Sequence, residues 1–275
     1  MKHKTGKKSA GIKNLPAKKK RERRENSLEL CLEKSRKNKF IEERDYPPIT
    51  PLNAKQADFL EALHHFTQII VTGPAGTGKT WIAASYAADL YRQRKIVKII
   101  LTRPTVPCGR SLGFFPGSLE EKFTPWAIPL TEAIKNRMGT ASFEIAMKHG
   151  DIEMVPFEVM RGRTWKNAFI ILDEAQNTSI NEIKMFLTRI GEGTQTVING
   201  DIRQCDLDSH SGLGTVINMI KHQCLPVALI EFGIEDIVRS GLCAMWVKAF
   251  DRMDSHTGKS HIEEMTTRIE AAFCT

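Results

Sequence analysis

The sequence predicts an α/β fold in which a mostly parallel sheet carries helices on both faces. Short, continuous apolar runs recur along the chain, each bounded by turn residues, and helical stretches separate them. Such runs are typical of parallel strands that are buried on both faces. With 275 residues, of which 41% are hydrophobic, the chain can form a substantial core without any disulfide or metal support.

The order of the elements follows from the positions of these runs. The predicted strands are 68–71, 97–101, 152–155, 169–172, 196–198 and 227–230. The predicted helices are 54–65, 79–93, 179–190, 213–222 and 235–249, with an interrupted helical stretch at 119–148 and a short helix within 25–45. Pro47, Pro48 and Pro51 exclude helix before them and mark a boundary. We therefore expect a basic extension at 1–49, the α/β domain at 50–252 and a polar tail at 253–275.

Positive charge is concentrated at the N-terminus. Residues 1–24 contain 11 Lys or Arg and one Glu, a net charge of +10, so the remaining residues carry −2 of the overall +8. Such a segment cannot bury enough apolar surface to fold alone, and we expect it to be largely disordered. It could bind a nucleic-acid backbone, or it could be a solubilising tail, and both interpretations stay open.

Three features of the sequence narrow the class of protein to which the chain can belong. No stretch approaches the roughly 18 uncharged apolar residues that cross a bilayer, so no membrane span is expected. The N-terminus has no apolar segment typical of a secretory signal. The six cysteines lie far apart without a CxxC pair, which argues against a zinc site or a disulfide framework. We expect a cytoplasmic protein with reduced thiols.

The string Gly73-Pro74-Ala75-Gly76-Thr77-Gly78-Lys79-Thr80 matches the phosphate-loop pattern GxxxxGK[ST] at every fixed position. Its glycines let several backbone N–H groups point at one anion, and the following helix adds the positive end of its dipole. Lys79 can then reach the β- and γ-phosphates of ATP, and the Thr80 hydroxyl can bind Mg²⁺. The alternative is a glycine-rich β–α turn without a ligand.

An apolar strand ends in two adjacent carboxylates, Asp173 and Glu174. Asp173 is placed to hold Mg²⁺ next to Thr80. Glu174 suits a group that orients and deprotonates an attacking water. The pair indicates hydrolysis of a nucleoside triphosphate, although acids also begin ordinary loops.

Several strings together resemble the PhoH-like ATPases. They are Gly73–Thr80, Thr102–Pro104 with Leu112–Gly117, Met160–Thr164, Ile171–Asn177, Phe186–Gly191 and Gly200–Gln204. The resemblance covers about residues 50–250 and implies a RecA-like P-loop NTPase whose core is similar to that of superfamily 1 helicases. It also implies RNA or single-stranded nucleic acid as the partner. Because this family is common in bacteria and phages, the resemblance implies a bacterial cytoplasm, or the host's cytoplasm if a phage encodes the protein.

The resemblance assigns roles to three further residues. Gln204 would sense the γ-phosphate, although it could belong to an ordinary polar turn. Gln56 would pair with the adenine edge, although a single surface glutamine is usually solvated. Arg239 would be an arginine finger that stabilises the transferred phosphate, although it could be a helix arginine paired with Glu235.

Arg103, Arg161 and Arg163 are expected to flank the carboxyl edge of the sheet. There they would either grip nucleic-acid phosphates or form structural ion pairs. Because about 200 residues make one RecA-like lobe, movement along a strand would need a second lobe from another subunit. We therefore expect a homo-oligomeric ring such as a hexamer, with Arg239 acting in trans.

The function predicted from the sequence is Mg²⁺-dependent ATP hydrolysis coupled to binding or remodelling of RNA or single-stranded nucleic acid. A second hypothesis is a nucleotide switch that turns over slowly and acts through a protein partner. A third is a nucleic-acid-binding protein whose ATP site is structural.

Overall fold

A six-stranded parallel sheet forms the centre of the computed structural model, which describes residues 46–104, 124–205, 211–242, 244–250 and 253. Its strands are β1 (Gln68–Thr72), β2 (Lys98–Thr102), β3 (Ile152–Met154), β4 (Ala168–Leu172), β5 (Gln195–Gly200) and β6 (Ala228–Glu231). Their order across the sheet is β3-β2-β4-β5-β1-β6, and every described pairing is parallel. The predicted fold class and all six strands are confirmed within one or two residues at each end.

Six α-helices accompany the sheet in the described part of the chain. They are α1 (Ala54–His65), α2 (Lys79–Arg92), α3 (Ile128–Met138), α4 (Thr140–His149), α5 (Ile180–Leu187) and α6 (Gly212–Gln223). Residues 241, 242 and 244–250 are also helical. The interruption predicted within 119–148 falls at Gly139, whose φ of 84° separates α3 from α4.

One helix prediction is wrong in its first half. The segment predicted as a continuous helix over 235–249 begins instead with a 3-10 turn at Ile234–Asp236. The Asp236 carboxylate accepts a hydrogen bond from the Gly233 N–H and closes this turn. The backbone then extends, and the Val238 N–H donates to the carbonyl oxygen of Gly76 at 3.0 Å. A tertiary contact therefore replaces the helical hydrogen bond that the local sequence favoured.

Hydrophobic side chains fill both faces of the sheet. One cluster joins alternate strand residues, such as Ile69 and Ile171, to α1, α2, α3 and α4. The other joins the intervening residues, such as Ile70 and Ile170, to α5 and α6. Because successive side chains of a strand point to opposite faces, continuous apolar strands need a cover on each side.

The helix starts differ in how they are capped. The Asn53 side chain caps α1, and Ser179 with Glu182 forms a capping box at α5. The other helices, among them α2 after Gly78, have no side-chain cap. The first N–H groups of α2 therefore remain available to an anion.

Several predictions fall outside the described residues. They concern the basic arm, the string Leu112–Gly117 and most of the polar C-terminal tail. Among the helices in the described ranges, none is long and apolar enough to cross a lipid bilayer.

We expect Gly212→Ala to destabilise the fold. A Cβ at this position would lie 2.5 Å from the carbonyl oxygen of Ser179, and a backbone atom cannot move aside as a side-chain tip can. Overpacking of this kind costs about 1–3 kcal/mol of unfolding free energy. Urea unfolding measures the change.

Gly214→Ala is the matched control, because Gly214 lies on the same helix and a methyl group added there would meet nothing within 4 Å. Alanine there should raise the unfolding free energy by about 0.5–1 kcal/mol. Equal effects of the two substitutions would contradict the packing described for the start of α6.

Candidate nucleotide-binding site

The candidate site lies where β1, β4 and β5 end. In the register of the sheet, Thr72 of β1 faces Gly200 of β5, and Leu172 of β4 faces Ile198 of β5. The residues that follow these strand ends therefore meet at one edge. They are the phosphate loop (Gly73–Thr80), the carboxylates Asp173 and Glu174, and Asp201.

The phosphate loop needs glycine at three positions for conformation and for space. Gly73, Gly76 and Gly78 have φ values of 137°, 88° and 87°, which disfavour any other residue. A Cβ at Gly73 would lie 2.5 Å from the carbonyl oxygen of Phe232. Within the loop Pro74 and Thr77 are buried, whereas Ala75 is exposed. The fold thus holds this backbone in a close turn around the start of α2.

Lys79 is folded back onto its own loop. Its Nζ donates to the carbonyl oxygens of Gly73 at 2.6 Å and Pro74 at 2.9 Å, and it contacts Thr77 Oγ1 at 3.3 Å. Burial lowers the pKa of Lys79, while the nearby carboxylates of Asp201, Asp173 and Glu174 oppose that effect. A desolvated ammonium group that contacts mainly carbonyl oxygens is well placed to bind an anion.

Thr80 and Asp173 meet directly. The Thr80 hydroxyl donates to Asp173 Oδ1 at 3.2 Å, although 93 residues separate them in the sequence. Burial raises the pKa of Asp173, and the neighbouring Glu174 carboxylate adds to the rise. A hydroxyl and a carboxylate are hard oxygen ligands, which Mg²⁺ prefers. These two residues fit a magnesium ion, which would also favour the charged form of Asp173.

Glu174 is held by two neighbours. Gln176 Nε2 donates to its Oε2 at 2.6 Å, and the Arg103 guanidinium lies 3.8 Å from its Oε1. Its backbone φ of 53° is in the left-handed region, which a non-glycine residue rarely adopts. Such conformations cluster at functional sites. Arg103, predicted as a nucleic-acid contact, thus lies at the site and pairs with a carboxylate.

Gln176 links two strand ends, a feature that the sequence reasoning missed. It is 1% exposed, and its Oε1 accepts a hydrogen bond from the Asp201 N–H at 3.0 Å while its Nε2 holds Glu174. The sequence offered a signal for this role. Gln176 follows Glu174 by two residues, and a polar side chain there needs a hydrogen-bond partner if it is buried.

The turn after β5 carries Asp201 and Gln204. Burial raises the pKa of Asp201, and the Arg203 N–H and the Lys79 ammonium oppose the rise. Gln204 lies on the 3-10 turn Ile202–Gln204 with an exposed side chain at the same edge of the sheet. Its role as a phosphate sensor stays a prediction.

Gln56 is not a solvated surface residue. It is 3% exposed, its Nε2 donates to the carbonyl oxygen of Thr77 at 2.9 Å, and its Oε1 accepts from the Leu52 N–H at 2.8 Å. The amide therefore ties α1 and the segment before it to the phosphate loop. Recognition of adenine by Gln56 stays a prediction.

Arg239 lies against the phosphate loop of its own chain. Its Cδ would be 2.9 Å from a Cβ at Gly76, so the side chain runs along the loop. The helical spacing that would pair Arg239 with Glu235 is absent, because the backbone is extended between the 3-10 turn and the next helical residues. Action of Arg239 at a neighbouring subunit's site stays a prediction.

The other two predicted nucleic-acid residues, Arg161 and Arg163, follow the 3-10 turn Phe157–Met160. The Arg163 guanidinium pairs with Glu153 and lies 4.9 Å from the centroid of the Trp165 ring. The ion pair is one of the two alternatives predicted for Arg163, and its partner Glu153 lies on β3 at the edge of the sheet. Arg161 is exposed. Contact of either residue with nucleic acid stays a prediction.

Comparison with known proteins agrees with the geometry of the site. The model of the family described as PhoH-like protein matches residues 48–251. The chain belongs to this family. Its membership confirms the resemblance noted in the sequence.

PhoH-like relatives occur in distant bacteria. Protein PhoH of Escherichia coli (strain K12) is 41% identical over 211 residues, which cover 75% of this chain and 59% of that protein. The PhoH-like protein of Bacillus subtilis (strain 168) is 42% identical over 201 residues, or 72% and 63% of the two chains. This PhoH-like chain therefore matches about three fifths of the length of these relatives.

Among solved structures, the large terminase of a thermophilic bacteriophage is similar over 70% of this chain and 48% of that chain. Its TM-score is 0.42 at 11% sequence identity.

We expect Asp173→Asn to stabilise the nucleotide-free protein. Because the pKa of Asp173 is raised in the folded state, its ionised form costs stability, and this cost grows as the pH rises from the ordinary carboxyl pKa through the raised one. The thermal midpoint of the variant should exceed that of the wild type at about pH 8, and the gain should shrink toward about pH 4. Asn can still accept the Thr80 hydrogen bond.

Asp58→Asn is the control, because the Asp58 side chain is 53% exposed. It should leave the midpoint nearly unchanged at both pH values. A lower midpoint of Asp173→Asn at about pH 8 would contradict the cost assigned to the buried charge.

Proposed function

We propose that this PhoH-like protein is a Mg²⁺-dependent ATPase that couples hydrolysis to RNA or single-stranded nucleic acid. The observation that carries the proposal is the contact between Thr80 Oγ1 and Asp173 Oδ1 at the uncapped start of α2. It brings the two expected metal ligands together beside a backbone turn that suits phosphate.

Phosphate binding follows from the loop and from Lys79. The N–H groups at the start of α2 and the backbone of the phosphate loop would face the nucleotide's phosphates. Lys79 would exchange its carbonyl contacts at Gly73 and Pro74 for phosphate oxygens, which neutralise its charge better. Thr80 and Asp173 would hold Mg²⁺, which neutralises charge on the phosphates when it is bound.

Glu174 would take the proton of the attacking water. Its carboxylate is held by Gln176 and lies near Arg103, so its direction is fixed before a nucleotide binds. A positioned general base of this kind typically contributes about 10²–10⁴-fold to the rate. Arg103 is then a positioning residue for Glu174 in our proposal.

Arg239 and Gln204 would respond to the γ-phosphate. Arg239 already lies along the phosphate loop at Gly76, so its guanidinium could stabilise transferred charge within its own chain. Gln204 follows β5 at the same edge of the sheet. Gln56 would add recognition of adenine from α1, next to its contact with Thr77.

The nucleic-acid partner is proposed from the family, the exposed Arg161 and the basic arm at 1–24. We also propose a cytoplasmic protein that assembles with further copies of itself, because the described sheet makes only one RecA-like lobe.

A slow nucleotide switch is the second candidate. In the structure Lys79 is bound to the carbonyl oxygens of Gly73 and Pro74, and these contacts must break before the lysine can bind phosphate. Turnover that is slow and indifferent to nucleic acid would favour this candidate over the coupled ATPase.

Glu174→Gln should abolish most turnover without loss of binding. The amide cannot accept the proton of the attacking water, so the steady-state ATPase rate should fall about 10²-fold or more. The affinity for Mg·ATP, measured by calorimetry, should stay within a few-fold of the wild type.

Glu144→Gln, on the exposed face of α4, is the matched control and should keep the wild-type rate. A Glu174→Gln variant that retains full turnover would remove Glu174 from the mechanism. A wild-type protein that takes up no Mg·ATP would remove the proposed function.

Single-stranded RNA should stimulate the wild-type ATPase, and Arg161→Ala should weaken RNA binding. If Arg161 contacts one phosphate, the slope of log affinity against log salt should become shallower by about one. Fluorescence anisotropy with labelled oligouridine at several salt concentrations measures this. Lys148→Ala, an exposed change on α4, should leave the slope unchanged.

A further inference from the structure

Asn199, the penultimate residue of β5, carries a buried amide that makes no hydrogen bond of ordinary geometry. Its side chain is 1% exposed, and both Oδ1 and Nδ2 lack such a bond among the residues that the structure describes. Leaving a buried polar group unpaired costs about 1–3 kcal/mol. A primary amide in such a position needs a reason beyond packing.

The position of Asn199 suggests the reason. Strand β5 lies between β1, which leads into the phosphate loop, and β4, which leads into Asp173. Asn199 faces Val71 in the register of the sheet. Its side chain points to the same face as Val197, which packs with the helices α1 to α4. That face also carries α2, on which Thr80 lies.

Asn199 also lies beside Asp173, because these two residues directly follow Ile198 and Leu172, which face each other in the register of β4 and β5. Other buried side chains with an unpartnered atom, such as Thr196, have one such atom each. Among the described residues, Asn199 is alone in having two, the amide nitrogen and the amide oxygen.

We propose that Asn199 is a positioning residue of the magnesium–nucleotide site. Its Nδ2 would hold the Asp173 carboxylate, and its Oδ1 would accept a hydrogen bond from a water of the metal's shell. Mg²⁺ loses water reluctantly and usually keeps several waters in proteins, so such acceptors are needed around it. The inference rests on the proposed function, because it requires Mg²⁺ at Thr80 and Asp173.

If Asn199 positions the metal ligands, its substitution should give a result that differs from the loss of a purely structural amide. Asn199→Leu keeps a similar volume and removes the unpaired polar atoms, so the nucleotide-free protein should unfold at the same or a higher temperature. Removing a residue that orients metal ligands typically weakens metal affinity about 10–100-fold. The variant should therefore lose metal binding while it keeps or gains stability.

The experiment measures Mn²⁺ binding in the presence of ADP by electron paramagnetic resonance, with Mn²⁺ in place of Mg²⁺. For Asn199→Leu we expect about tenfold weaker Mn²⁺ binding or more. The affinity for ADP in EDTA should stay unchanged, since no metal takes part. Asn199→Ala repeats the measurement without any bulky side chain, in case leucine prevents folding.

Thr196→Val is the matched control. It removes another unpartnered buried group, the Thr196 hydroxyl, from the same strand. Thr196 lies an odd number of residues from Asn199, so it points to the opposite face of the sheet. The Mn²⁺ affinity of this variant should stay within about twofold of the wild type.

Two results would overturn the inference while the proposed function stands. One is unchanged Mn²⁺ affinity in Asn199→Leu and Asn199→Ala. The other is a joint fall of thermal stability and of ADP affinity in EDTA, which indicates a structural role. If the wild type itself binds no Mn²⁺ with ADP, the proposed function fails, and the inference fails with it.

Discussion

The contact between Thr80 and Asp173 depends on one geometric constraint, the parallel register of three central strands. Because β5 separates β1 from β4, the ends of all three strands must lie at the same edge for a hydroxyl at the start of α2 to reach a carboxylate after β4. The register pairs Thr72 with Gly200 and Leu172 with Ile198, so the ends of β1 and β4 are offset by only two residues along β5. Clusters on both faces of the sheet hold this register, since a slip of one residue would turn each strand's side chains to the opposite face.

Bringing these strand ends together also buries charged groups, and this burial costs stability. Asp173 and Asp201 are both buried, and burial raises the pKa of each. Lys79 is partly buried, and burial lowers its pKa. These groups compensate one another only in part, so the site is more polar than a stable core requires. Stability is commonly sacrificed in this way at functional sites, where a bound ligand supplies the missing partners.

Residues outside the three central strands form hydrogen bonds with the backbone of the candidate site. Gln56 on α1 bonds the backbone of the phosphate loop at Thr77, and Val238 bonds it at Gly76. Gln176 joins Glu174 to the backbone of Asp201. Each link connects a residue of the candidate site to another part of the fold.

The sequence by itself determined the strands, most helices, the phosphate loop and the pair Asp173 and Glu174. These features are encoded locally: continuous apolar runs between turns are typical of buried parallel strands, and the glycine spacing of the loop has few other uses. The start of the predicted helix at 235–249, the burial of Gln56 and the unpaired amide of Asn199 were decided by the tertiary structure. Each depends on a residue far away in the chain, such as Gly76, Thr77 or Asp173, and no local pattern records such a neighbour.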